Sequence, residues 1–97
     1  MATQAIDATA ATGGRTYSQS AVDTDGTVLT GPPTASEIWM RMTAAGVFSV
    51  GGEGAAEIPL DADSYTRVWV RSPGLTSTPR VYVAPSTGTA TVYALVL

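Results

Sequence analysis

The chain has 97 residues, and its five arginines and eight acidic residues give a formal net charge of −3. It contains no histidine, cysteine or lysine, so it lacks the commonest general base, a thiolate nucleophile and a Schiff-base amine. Without cysteine it can form neither a disulfide nor a thiolate metal site. These absences favour one small domain that is not an enzyme and that uses no cofactor, metal ion or small-molecule substrate.

Charge and hydropathy also restrict the partners that we expect. Nucleic-acid binding needs a basic stripe, which an acidic chain with five arginines does not provide. An acidic surface is not attracted to anionic membranes, and no stretch approaches the ~20 apolar residues of a membrane-spanning helix. The first residues lack the basic and apolar regions of a signal peptide. We therefore expect contact with neither nucleic acid nor membrane.

Residues 1–14 are small and nearly uncharged, with Met1 and Ile6 as their only sizeable apolar side chains. This composition predicts an extended N-terminal arm, followed by a folded domain over residues 15–97. A segment so poor in anchors rarely becomes ordered alone, so we expect a neighbouring subunit to hold it. Met1 and Ile6 are therefore candidate interface residues.

The rest of the chain reads as short strands separated by turn residues. Residues 23–26 and 85–88 are turn sequences, and the second predicts a hairpin between strands at 80–84 and 89–97. Pro59 argues against a central strand at 57–63. Turn signals every eight to twelve residues predict a single β-sandwich, jelly-roll-like or Ig-like, of about seven or eight strands. Further strands are predicted at 15–22, 27–30, 47–50 and 65–71.

Residues 34–46 fit two patterns. Thr34 and Glu37 have the spacing of a helix capping box, and the apolar residues that follow recur at helical intervals. Ile38, Met40 and Met42 alternate with polar or larger residues, as in a strand. The pattern alone leaves helix and strand open.

The segments 67–70 and 80–83 share the pattern Arg-Val-aromatic-Val. Alternation predicts two similar strands in one sheet, with their valines inward and their arginines and aromatics outward. Interfaces favour Trp, Tyr and Arg, so the outward set is a candidate contact surface. The alternative is that the aromatics pack inside the sandwich, or pair across strands beneath arginine stems. The outward set consists of Arg67, Trp69, Arg71, Arg80 and Tyr82.

Two Asp-x-Asp pairs, at 23–25 and 61–63, could suggest calcium. A calcium-binding loop of the EF-hand type requires further oxygen ligands and a glutamate at its twelfth position, which neither segment provides. We interpret these acids as solvated turn residues and expect no metal site.

Residues 38–52 contain a strand with a central Arg41, a turn of small residues, an aromatic-containing strand and a glycine. This segment resembles a recurrent hairpin in small all-β structural proteins of tailed bacteriophage virions, the capsid decoration or cement proteins. The Leu-Pro-type segment 54–60 and the Thr-rich strand at 88–93 are similar as well. The N-terminal third of the chain has no counterpart in that family.

The resemblance implies that residues 37–43 form a strand. It also implies a virion structural protein that decorates or cements a capsid after assembly in the host cytoplasm. Its partners would be the major capsid protein or other virion proteins, and copies of itself in a homo-oligomer, with a trimer favoured. One alternative is a carbohydrate-binding or receptor-binding β-sandwich module with Trp39, Trp69 and Tyr82 as stacking platforms. A second alternative is a tail or head–tail joining protein.

Overall fold

The structure is a computed structural model that describes residues 4–9, 15–51, 56–73 and 78–97. These residues form nine β-strands in two sheets, so the predicted all-β sandwich is confirmed, with more strands than the expected seven or eight. No helix capable of crossing a membrane is found in these parts of the chain. The strands are β1 (Gln4–Asp7), β2 (Arg15–Val22), β3 (Thr27–Thr30), β4 (Glu37–Met42), β5 (Gly46–Val50), β6 (Ile58–Leu60), β7 (Thr66–Val70), β8 (Arg80–Pro85) and β9 (Ala90–Val96).

One sheet has five strands in the order β1-β3-β8-β5-β6, and the other has four in the order β2-β9-β4-β7. β8 therefore lies between β3 and β5, and β9 lies between β2 and β4. The inner faces of both sheets bury one apolar core. Its fully buried large side chains are Val22, Leu29, Ile38, Met40, Met42, Leu60, Val81, Val83, Val92 and Val96.

The open question over residues 34–46 is resolved in favour of a strand. Along β4 the side chains alternate between half-buried and buried, with Ile38, Met40 and Met42 on the inner face. Only an extended chain turns alternate residues to one side. The N–H of Ala35 donates to the carbonyl of Pro32 at 3.1 Å, which closes a turn before the strand. The helical interpretation is wrong because β9 and β7 flank β4 and satisfy its backbone as a ladder.

The predicted hairpin over residues 80–97 is wrong. β8 pairs with β3 and β5, whereas β9 pairs with β2 and β4 in the opposite sheet. The turn at residues 86–88 therefore carries the chain from one sheet to the other. The hairpin that the resemblance implied is wrong for the same reason, because β4 and β5 also belong to different sheets. A turn sequence predicts that the chain reverses, but not whether the two strands meet side by side or face to face.

The two similar segments also belong to different sheets. β7 is the last strand of the four-stranded sheet, and β8 is interior in the five-stranded sheet. The pairing of β7 with β4 shifts register between Ile38 and Trp39, which marks a β-bulge. A bulge breaks strict alternation, and here Val68 and Trp69 are both buried while Val70 is 51% exposed. The predicted inward orientation is thus confirmed for Val68 and wrong for Val70.

Part of the expected N-terminal arm belongs to the sandwich. β1 pairs in parallel with β3, and the N–H of Ala8 donates to the carbonyl of Thr30 at 2.8 Å. Ile6 is 5% exposed and Ala8 is fully buried in the core. Ile6 is therefore a core residue in this structure instead of an exposed contact. Residues 1–3, which include Met1, and residues 10–14 lie outside the described residues.

Gly46, the first residue of β5, lies in close contact with the end of β8 in its own sheet and with Met42 of the opposite sheet. A Cβ at this position would meet the carbonyl oxygen of Ala84 and the Cα of Pro85, both of which are backbone atoms. We expect Gly46→Ala to destabilise the fold by about 3 kcal/mol, the upper end of the usual cost of overpacking, since a clash with backbone cannot relax by side-chain rotation. Gly88→Ala is the control, because its φ is +64° but its Cβ would enter open space. It should lose only about 1–2 kcal/mol. Equal losses in urea unfolding would contradict the close-approach explanation.

Neighbouring residues of β9 allow a test of its burial. Val96 is 1% exposed on the inner face, while Leu95 is half-buried on the outer face. Val96→Ala should lower the free energy of unfolding by about 2 kcal/mol, because it removes apolar area from a closed core. Leu95→Ala should lose less, since water already reaches that side chain. Urea denaturation of both variants checks the order, and a larger loss for Leu95→Ala would mean that the orientation of β9 is wrong.

Candidate functional site

The outer face of the four-stranded sheet carries the clearest candidate contact surface. Trp39 opposes Leu95 across β4 and β9, and Arg41 opposes Tyr93. The intervening pair is Met40 with Ala94, and both are fully buried, so the flanking pairs point away from the core. Tyr65 precedes β7 and lies near Arg41. We call this surface the tyrosine–arginine face, defined by Trp39, Arg41, Tyr65, Tyr93 and Leu95.

Arg41 organises this face. Its guanidinium carbon lies 4.2 Å from the ring centroid of Tyr93 and 5.7 Å from that of Tyr65. Its Nη1 atom lies 3.7 Å from the Oδ1 atom of Asp63. Asp63 adopts a left-handed φ of +61°, and its N–H donates to the carbonyl of Met42 at 2.8 Å. The guanidinium therefore lies close to two aromatic rings, with a carboxylate beside it.

Trp39 is also fixed in orientation. Its indole N–H donates to the Oε1 atom of Glu37 at 2.8 Å, between two side chains on the same face of β4. Within the face Tyr65 is 43% exposed, and at its margin Val70 is 51% exposed. Tyrosine, tryptophan and arginine are the residues most enriched at the centres of protein interfaces. The face thus combines such residues with little freedom to rearrange.

Two of the site residues predicted from sequence are buried. Trp69 is 8% exposed and Tyr82 is 6% exposed. The Tyr82 hydroxyl donates to the carbonyl of Asp25 at 3.1 Å. The guanidinium carbon of Arg71 lies 4.9 Å from the Trp69 ring centroid, and its Nε donates to the carbonyl of Ala35 at 2.6 Å. The alternative in which the aromatic packs inside the sandwich is therefore confirmed for Trp69, which belongs to the apolar core.

Three of the predicted residues do come together at one place. Two adjoining depressions, of about 460 Å³ and about 290 Å³, share Val50 and Trp69 in their walls. Arg67 lines the larger depression and Arg80 lines the smaller one. The remaining lining includes Val70, which is exposed at the end of β7. We call this joint depression the Trp69 cleft, defined by Val50, Arg67, Trp69, Val70 and Arg80.

Sequence reasoning missed the tyrosine–arginine face as a unit. The signal for its β4 half was available, since Trp39 and Arg41 alternate with Met40 once residues 37–42 are taken as a strand. The signal for Tyr93 and Leu95 was their alternation with smaller apolar residues. What the sequence does not contain is the register that sets Arg41 opposite Tyr93.

The acidic turn residues serve local structure. The Oδ1 atom of Asp23 accepts the N–H of Asp25 at 3.0 Å, inside the turn before β3. Hydrogen bonds from the Thr9 hydroxyl and backbone N–H lower the pKa of Asp7 at the end of β1. Within the described ranges no group of three or more acidic side chains is placed to hold a metal ion.

Comparison with protein families, with curated proteins and with solved structures finds no match to this chain.

The contact between Arg41 and Tyr93 can be measured by a double-mutant cycle with Arg41→Gln and Tyr93→Leu. We expect a coupling of about 0.5–1 kcal/mol, the usual range for an exposed cation–π pair. Asp63→Asn should change stability by less than about 0.5 kcal/mol, because Asp63 is 70% exposed and exposed ion pairs contribute little. The control cycle pairs Arg67→Gln with Tyr93→Leu and should show no coupling. A coupling near zero for Arg41 and Tyr93 in urea unfolding would contradict the stacked geometry.

Proposed function

We propose that the protein is a non-enzymatic structural component of a bacteriophage virion, which decorates or cements the capsid through contacts between subunits. The sequence resemblance to such proteins supports the class of protein, through the segments at 54–60 and 88–93 and not through the hairpin that it implied at 38–52. The tyrosine–arginine face is the observation that carries a docking role. Arg41 stacked on Tyr93 at 4.2 Å gives a protein partner an aromatic and cationic surface that is already ordered. Ordering a surface before binding reduces the entropy lost on association.

The stacking of Arg41 favours a protein partner over a sugar. A sugar platform requires an open aromatic ring face, and the guanidinium of Arg41 lies over the ring of Tyr93. The sequence had suggested Trp39, Trp69 and Tyr82 as sugar platforms, but Trp69 and Tyr82 are buried. Trp39 is half-buried on the outer face, with its indole N–H bonded to Glu37. Exposed Tyr65 keeps a carbohydrate-binding module as the second candidate. A tail or head–tail joining role differs from the main proposal only in where the same face docks.

The proposal includes a closed homo-oligomer, with a trimer favoured, that binds the major capsid protein or another virion protein. Closed symmetry repeats the tyrosine–arginine face around an axis. Weak contacts of single copies then add to a firm attachment, because the later contacts form at a high effective concentration. Binding to assembled capsid protein stabilises the particle by mass action.

The test has two parts. The first is a cryo-EM map of virions of the phage whose genome encodes this chain, and the second is a re-binding assay on particles that lack the protein. We expect density for the sandwich on the capsid surface. Tyr65→Ser should weaken re-binding about 30-fold, since an interface tyrosine commonly contributes about 2 kcal/mol. Ile58→Ser is the matched control, because Ile58 is 46% exposed in β6 on the other sheet. Sedimentation of the free protein gives the oligomer number.

Each outcome of this test has a distinct meaning. If the chain is missing from purified particles, the virion role is wrong. If Ile58→Ser weakens re-binding as much as Tyr65→Ser, the tyrosine–arginine face is not the contact. Density at the tail or at the head–tail junction would support the joining role. Glycan-array binding that Tyr65→Ser removes, without any capsid binding, would support the carbohydrate-binding module.

A further inference from the structure

The Trp69 cleft has an apolar wall with exposed valines, which packing of the core does not explain. Trp69 forms an apolar part of its wall, and two exposed valines lie beside it, Val50 at 42% and Val70 at 51% exposure. Exposed apolar side chains that meet at a depression mark binding surfaces more often than scattered ones do. The cleft can therefore accept an apolar side chain.

The cleft also holds two arginines without internal partners. In the described parts of the chain, the side chains of Arg67 and Arg80 make no hydrogen bond or ion pair, and both residues are exposed. Arg41 and Arg71, by contrast, are engaged with aromatic rings and oxygen atoms. In a chain of net charge −3, two available guanidinium groups at one cleft favour a carboxylate ligand.

The position of β7 at the edge of its sheet further restricts the kind of ligand that the cleft can bind. Arg67, Trp69 and Val70 are consecutive or nearly consecutive in β7, the last strand of its sheet. β7 pairs with β4 on one side, and no described strand pairs with its other side. An edge strand offers backbone N–H and C=O groups that an extended peptide can satisfy by strand addition. A sugar or a nucleic acid cannot complete such a ladder.

We propose that the Trp69 cleft binds an extended acidic peptide segment of a partner protein. The peptide runs along the free edge of β7, places an apolar side chain against Trp69 and the two valines, and directs carboxylates to Arg67 and Arg80. Nucleic acid is the less favoured occupant, because two arginines neutralise few phosphates on an otherwise acidic protein. The cleft borders the tyrosine–arginine face, because Arg67 opposes Trp39 across β7 and β4. Tyr65 and Arg80 each belong to one surface only, so Tyr65→Ser and Arg80→Gln separate failure of one site from failure of the other.

The test uses a blocked Asp-Leu-Asp tripeptide, acetylated and amidated at its ends, titrated against the full-length protein by ¹⁵N NMR. We expect shifts at the indole N–H of Trp69 and at the amides of Arg67, Val70 and Arg80. Arg67→Gln and Arg80→Gln should each weaken binding about tenfold, as expected for the loss of one charge-assisted contact. Arg15→Gln is the control, because Arg15 is an exposed arginine in β2 at the opposite edge of the same sheet.

A blocked Asn-Leu-Asn tripeptide has the same shape without charge and should bind at least about tenfold more weakly. Thermal unfolding of each variant confirms that the substitutions leave the fold intact. The proposal is overturned if both tripeptides bind equally, if Arg15→Gln weakens binding as much as Arg67→Gln, or if the shifts map to Tyr93 and Arg41. Tighter binding of a short thymidine oligonucleotide than of the acidic tripeptide would also overturn it and identify the cleft as a nucleic-acid contact.

Discussion

The structure depends on the burial of two inner sheet faces against each other by a chain that crosses repeatedly between them. The nine strands of the described residues have eight connections, and among these strands only β5 and β6 are both successive in the chain and paired in one sheet. Each other connection joins strands of opposite sheets, so neither sheet forms by local zipping. Core residues such as Val83 and Val92 lie close in sequence but in different sheets. Apolar contact between the layers, more than hairpin formation, therefore decides the fold.

This arrangement explains which parts of the fold the sequence predicts. The bounds of β2 and β3 were predicted as observed, and Pro59 correctly placed β6 at a sheet edge, because these features depend on local backbone preferences. Strand pairing was not predictable in the same way. The turn before β9 fits a hairpin equally well, and only the burial of β8 and β9 in separate sheets distinguishes the two outcomes.

For the candidate surfaces, too, the sequence predicts the residue types that matter but not how those residues are arranged. Residue types indicated that tryptophan, tyrosine and arginine would matter, and Arg67, Trp69 and Arg80 do meet at one cleft. Their orientation was not predictable, because one bulge opposite Ile38 changes the alternation along β7. The stacking of Arg41 on Tyr93 depends on the register between β4 and β9. The two residues are separated by 51 residues of chain (Met42 to Val92), so no local pattern encodes that register.

The interior positions of β8 and β9 have a consequence for synthesis on the ribosome. Without these two strands, the five-stranded sheet separates into the pairs β1–β3 and β5–β6, and the four-stranded sheet into β2 alone and the pair β4–β7. Isolated strand pairs are marginally stable at best, and their exposed edges invite aggregation. The described strands that precede β8 therefore form no more than isolated pairs on the nascent chain, and the sandwich closes only when β8 and β9 have left the exit tunnel.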